Sequence, residues 1–170
     1  MTGKPSANRD DGARDAQWRK VEAGEVVVSR AAADVLTTSA PVGSCVAVCL
    51  WDPTSGVGGL LHFLWPDSKL DPARAEHAPA CFADTGVQLL FEHAGLMGAD
   101  KGRCKVRLVG GAEIPDGDQA GRLAKRNLLA VRSVLWRRGV FVDGEEVGGT
   151  KARRATLTVS NGELLVGLHE

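Results

Sequence analysis

Residues 46–65 read VAVCLWDPTSGVGGLLHFLW. Two apolar runs, VAVCLW and VGGLLHFLW, flank Asp52-Pro53-Thr54-Ser55-Gly56, a cluster of residues that favour turns. Each run is bounded by turn signals and is too short for the roughly 20 residues of a membrane-spanning helix, so the pair reads as two buried strands of one hairpin. Pro66 stops the second strand, and Gly58-Gly59 within it predict a bulge or a close backbone approach.

Working outward, EVVVSR (25–30) and DVLTTS (34–39) are rich in β-branched residues and predict two earlier strands. Downstream, Val87, Leu90, Phe91 and Ala94 recur at helical spacing, which predicts a helix with Asp84 as N-cap and Gly95 as terminator. CKVRLV (104–109) alternates like a strand and ends at Gly110-Gly111. Leu123, Leu128, Val131, Val134 and Leu135 give a longer amphipathic helix closing at Gly139. VFVDG, RRATLTVS and ELLVGL complete the chain, the last two joined by Asn161-Gly162, a strong signal for a tight hairpin turn. Many strands with two inserted helices and no regular βαβ alternation predict an α+β fold, with mixed or mainly antiparallel sheets and two helices packed outside.

The chain has 170 residues, enough for one domain with a real core. Twenty-one basic residues balance twenty-one acidic ones, so no global positive field draws the chain to nucleic acid or anionic lipid. The N-terminal MTGKPSANRDDGARDAQWRK is charged throughout and lacks the apolar centre of a secretory signal. It reads as a flexible tail over residues 1–20, with a single domain over 21–170, no membrane insertion, and a cytoplasmic location that keeps Cys45, Cys49, Cys81 and Cys104 reduced.

Chemistry centres on Gly43-Ser44-Cys45 and, seventeen positions later, His62. A nucleophilic cysteine needs an imidazole to take its proton and a third polar group to orient the ring. The competing reading makes Cys45 an inert packing residue and His62 a satisfied core histidine. A zinc site drawn from Cys49, Cys81, Cys104, His62 and His77 is disfavoured because no CxxC pair exists. The glycine pairs 110–111 and 148–149 stand outside GxGxxG and read as sites of close backbone packing rather than phosphate cradles.

In this order and spacing, SAPVGSCVAVCLWD, GGLLHFLWP, CFADTGVQLL, VGGAEI, LAKRN and EEVGGTKAR resemble the blocks of the chemoreceptor glutamine deamidase family, CheD, from about Val21 to the C-terminus. The resemblance implies a catalytic nucleophile at Cys45 and a catalytic histidine at His62. The family's third residue, a threonine six positions before the cysteine, falls on Ser39, where the hydroxyl is kept without its methyl. Ala124 replaces a usual Gly, and Glu146 a usual Asp. The implied fold is similar to the cysteine deamidase domain of cytotoxic necrotizing factor toxins. The implied activity is protein-glutamine glutaminase: hydrolysis of glutamine side chains to glutamate, through a cysteine thioester, on the cytoplasmic helical domain of methyl-accepting chemotaxis receptors. No cofactor and no metal are implied. The alternative is a chemotaxis adaptation module that docks a CheC-type phosphatase or the receptor with little catalysis.

Overall fold

The computed structural model describes residues 15–115 and 118–170. Nine strands run β1 Gln17–Val21, β2 Glu25–Ser29, β3 Asp34–Thr38, β4 Val46–Asp52, β5 Val57–Phe63, β6 Lys105–Gly110, β7 Gly144–Val147, β8 Arg153–Thr158 and β9 Leu164–Leu168. Three α-helices lie between them: α1 Pro72–His77, α2 Ala83–Leu96 and α3 Asp118–Arg137. The strands form a four-stranded sheet in the order β1-β3-β8-β9 and a five-stranded sheet in the order β2-β5-β4-β6-β7. Pairing is antiparallel except for β1 with β3 and β6 with β7, so the α+β expectation with mixed sheets holds.

The hairpin of β4 and β5 is buried on both faces, which is why its sequence is apolar almost throughout instead of alternating. Val46, Val48 and Leu50 of β4, with Leu61 and Phe63 of β5, face a core shared with Val87 and Leu90 of α2 and Val131 and Leu135 of α3. Ala47, Cys49 and Leu60 face the other way, into a core closed by Leu36 of β3 and Leu157 of β8. The domain is therefore three layers deep: helices, five-stranded sheet, four-stranded sheet. No bulge interrupts β5, whose register against β4 is unbroken. Its glycines serve close approach instead, since a Cβ on Gly59 would stand 2.7 Å from Leu90 Cδ1 and one on Gly58 3.1 Å from Val159 Cγ2.

Several boundaries differ from expectation. Residues 1–14 lie outside the described residues, but the expected tail over 1–20 ends too late, because Gln17–Val21 form β1. Its side chains are exposed up to Val21, so apolar patterning gives no signal, and the strand is held by its backbone ladder to β3. Asp84 is not the N-cap of α2. Phe82 occupies that position, while the Asp84 carboxylate accepts the backbone N–H of Ser68 at 3.0 Å and also its hydroxyl. The helix continues past Gly95 to Leu96 and turns off at Gly98, whose φ is +102°. β8 and β9 form the expected hairpin, but Leu157 pairs with Leu164, so the connection is longer than a two-residue turn. Among the described residues, no helix is long and apolar enough to cross a membrane.

At the far end of β4, the fully buried Asp52 accepts from Arg103 Nε at 3.2 Å and Nη2 at 2.9 Å, and from the N–H groups of Thr54 and Asp100. Burial alone pushes a carboxyl pKa up, but the guanidinium and the backbone donors outweigh it and hold Asp52 well below the usual carboxylate range. Asp52→Ala strips four donors of their acceptor and is expected to lower unfolding stability by about 3 kcal/mol, read as a shift of the denaturation midpoint.

Candidate active site

Antiparallel pairing of β4 with β5 sets Ala47 opposite His62. Cys45 precedes β4 and lies two residues before Ala47, so by the alternation of a strand its side chain shares the face that carries His62. It packs against the core between the sheets, half-buried at that core's edge, whereas His62 is 1% exposed. Ser39 follows β3 directly. Its N–H donates to the Val21 carbonyl at 3.0 Å, and the Gly24 N–H donates to the His62 carbonyl at 2.7 Å, which draws the β1–β2 turn and the end of β3 to the histidine strand.

The hydrogen bonds of the third residue differ from the simplest reading of a triad. Ser39 Oγ donates to the Glu22 carboxylate, and neither ring nitrogen of His62 has a hydrogen-bond partner. A carboxylate is the stronger acceptor, so it takes the single hydroxyl proton. The lone pairs of Ser39 Oγ can then only accept, which suits a ring N–H donor.

Burial pushes the Cys45 thiol up, with its own backbone N–H and the Ser44 hydroxyl opposing the shift. Burial also lowers His62 to about 4, against an upward pull from Glu22. The resting pair at neutral pH is thus a thiol and a neutral imidazole, a nucleophile that needs its proton removed and a base free to remove it. The other cysteines stand apart: Cys49 is buried between the sheets, Cys104 lies in the core beneath the helices, and Cys81 abuts Gly24. Burial raises Cys49 to about 12 and, with the nearby carboxylates, Cys104 to about 11.

The loop before β4 is fixed from behind. Gly111 N–H donates to the Cys45 carbonyl at 2.7 Å and Ala112 N–H to the Gly43 carbonyl at 2.8 Å. Gly110 and Gly111 have φ of +111° and +59°, and a Cβ on Gly110 would stand 2.6 Å from the Cys45 carbonyl oxygen. Here the glycine pair does serve close backbone packing, against the loop that carries Cys45. On the helix side, Asn127 Nδ2 donates to the carbonyls of Ser44 at 2.9 Å and Leu64 at 3.0 Å.

Residues 64–167 match the family model described as CheD chemotactic sensory transduction. A protein of Solibacter usitatus named "Probable chemoreceptor glutamine deamidase CheD" is 41% identical over 81% of this chain and 80% of its own length. The chain belongs to the CheD family. Its similarity extends to "Probable chemoreceptor glutamine deamidase CheD 1" of Syntrophus aciditrophicus, 40% identical over 82% of this chain and 86% of that one. "Chemoreceptor glutamine deamidase CheD" of Thermotoga maritima is 34% identical over 84% of this chain and 87% of its own.

Two residues at this CheD site were not singled out in the sequence. Glu22 lies in a charged stretch, where a carboxylate ordinarily marks a solvated face, and only the pairing of β1 with β3 brings it to Ser39. Asn127 stood within the LAKRN block as part of a resemblance, with no role attached. An uncharged amide at a buried helical position was the available signal.

Proposed function

We propose that this chain is a protein-glutamine deamidase that acts on glutamine side chains in the cytoplasmic helical domain of chemotaxis receptors, and that it works in the cytoplasm where that domain lies. The observation that carries the reading is the half-buried Cys45 on the same sheet face as a buried, neutral His62. His62 takes the thiol proton as Cys45 Sγ attacks the carboxamide carbon, forming the S–C bond and moving the carbonyl electron pair onto oxygen. The resulting imidazolium gives its proton to the departing nitrogen, so the C–N bond breaks with release of ammonia and leaves a thioester. Water, deprotonated by the now neutral imidazole, then attacks the thioester and restores the thiol with glutamate as product. His62 thus relays the proton in both half-reactions, and the new acid loses its own proton to solvent as glutamate.

The test is incubation of the full chain with cytoplasmic fragments of receptors from the same organism, followed by peptide mass spectrometry for the change of Gln to Glu. No conversion in any receptor fragment, together with stable binding of a CheC-type phosphatase, would favour the docking reading instead. Ser39 acts in this scheme as a positioning residue for the His62 ring. Ser39→Ala is expected to lower kcat about 10-fold with KM nearly unchanged, and Ser39→Thr, which adds a methyl that narrows the hydroxyl's rotamers, to keep or raise the rate.

A further inference from the structure

Asn127 takes no part in the chemistry above, yet it is fully buried and bonded to the site on two sides. Its partners are the carbonyl of the residue before the nucleophile and that of the residue two places beyond His62. Both are acceptors, so only the NH2 end of the amide can face them. That orientation leaves Asn127 Oδ1 buried without a partner. An orphaned buried acceptor is destabilising, a cost that an apolar side chain of similar size would avoid. A residue that merely filled space under α3 would not need to be an amide.

What the amide fixes is a peptide plane. The described chain has no cis peptide bond, so the Ser44 carbonyl and the Cys45 N–H point to opposite sides of one plane. Drawing the carbonyl towards α3 turns the N–H away from α3. No backbone carbonyl takes that N–H among the described residues. It favours the thiolate, which puts it on the Sγ side of the loop, where the oxygen of an attacked amide would gain its charge. The bond from Gly111 N–H to the Cys45 carbonyl fixes the next plane along, so the first plane rests chiefly on Asn127.

Building on the deamidase reading, we propose that Asn127 is a positioning residue: it orients the Ser44–Cys45 peptide so that the Cys45 N–H donates to the oxyanion formed when Cys45 attacks. Removing one preorganised oxyanion donor typically slows turnover by 100-fold or more, because the bond strengthens only as charge develops. Alkylation of Cys45 by iodoacetamide, a displacement at a saturated carbon, builds no oxyanion and draws on this N–H only through its small support of the thiolate.

Asn127→Leu keeps the side chain's approximate volume and removes the donor. The expected result is a fall in kcat of about 100-fold on a receptor fragment, with KM within about 2-fold and Cys45 alkylation within about 3-fold of wild type. If Asn127→Leu does not fold, Asn127→Ser retains one donor and is expected to show an intermediate kcat with alkylation again unchanged. A kcat near wild type in a folded variant overturns the proposal. So does a parallel loss of kcat and alkylation with a lowered melting point, which marks a purely structural role. Absence of turnover in the wild-type chain, by contrast, removes the deamidase reading itself.

Discussion

Cys45→Ala is expected to abolish glutamine conversion on receptor fragments, a loss of at least about 10⁴-fold, while leaving the melting point within a few degrees of wild type. Loss of the sulfur removes the only protein atom in the proposed scheme that forms a bond to the substrate carbon. The structural cost is small because Cys45 sits half-buried at the edge of the inter-sheet core, ahead of the β4 ladder rather than within it. Peptide mapping after brief exposure to iodoacetamide supplies the companion measurement. Cys49, Cys81 and Cys104 are buried, so label should arrive first at Cys45. Retained conversion in Cys45→Ala, or a collapse of the fold, would return Cys45 to the ranks of packing residues.

His62→Gln is expected to slow conversion by about 10³-fold, the usual scale for loss of a group that both accepts and donates the proton. It carries a second signature in stability. Burial holds His62 at about 4 against an ordinary 6.5, so between those values the unfolded chain binds a proton that the folded chain refuses. The contribution of a neutral His62 is therefore complete above pH 6.5 and is lost as the pH falls towards 4, an acid penalty of roughly 2–3 kcal/mol at pH 4.5. Chemical denaturation at pH 7.5 and 4.5 should show that penalty in wild type and a correspondingly smaller one in His62→Gln. Equal losses in both chains would mean that the ring titrates normally. The same shift bears on catalysis, since an imidazole that stays neutral near pH 6 keeps the acid limb of kcat/KM below the usual histidine range.

The hairpin of β4 and β5 was readable from sequence because burial on both faces leaves a continuous apolar run between strong turn residues, and the register that puts Cys45 and His62 on one sheet face follows from it. β1 was not readable. Its stability comes from parallel backbone pairing with β3, and Gln17, Trp18, Arg19 and Lys20 are all exposed, with Arg19 reaching the Asp34 carboxylate, so no hydrophobic period marks it. That omission hid Glu22, which reaches Ser39 only because β1 and β3 run side by side. Asp84 shows a similar limit, since its short side chain suits a helix start and also suits a contact with Ser68, a residue distant in sequence that only the fold brings near. Asn127 became informative through its partners, two carbonyls far away along the chain.

The alternation of β4 between two cores has a consequence for how such a chain can drift over generations. Val46, Val48 and Leu50 meet only α2, α3 and their neighbours, where exchanges among aliphatic residues of similar volume are tolerated at small cost. Ala47 and Cys49, on the reverse face, share the core between the sheets, and Ala47 stands directly across from His62. One strand thus meets two different packing constraints at alternating positions. The odd-numbered side carries Ala47, its smallest member, opposite His62, so a bulkier residue there would overpack the core between the sheets and crowd the imidazole at once.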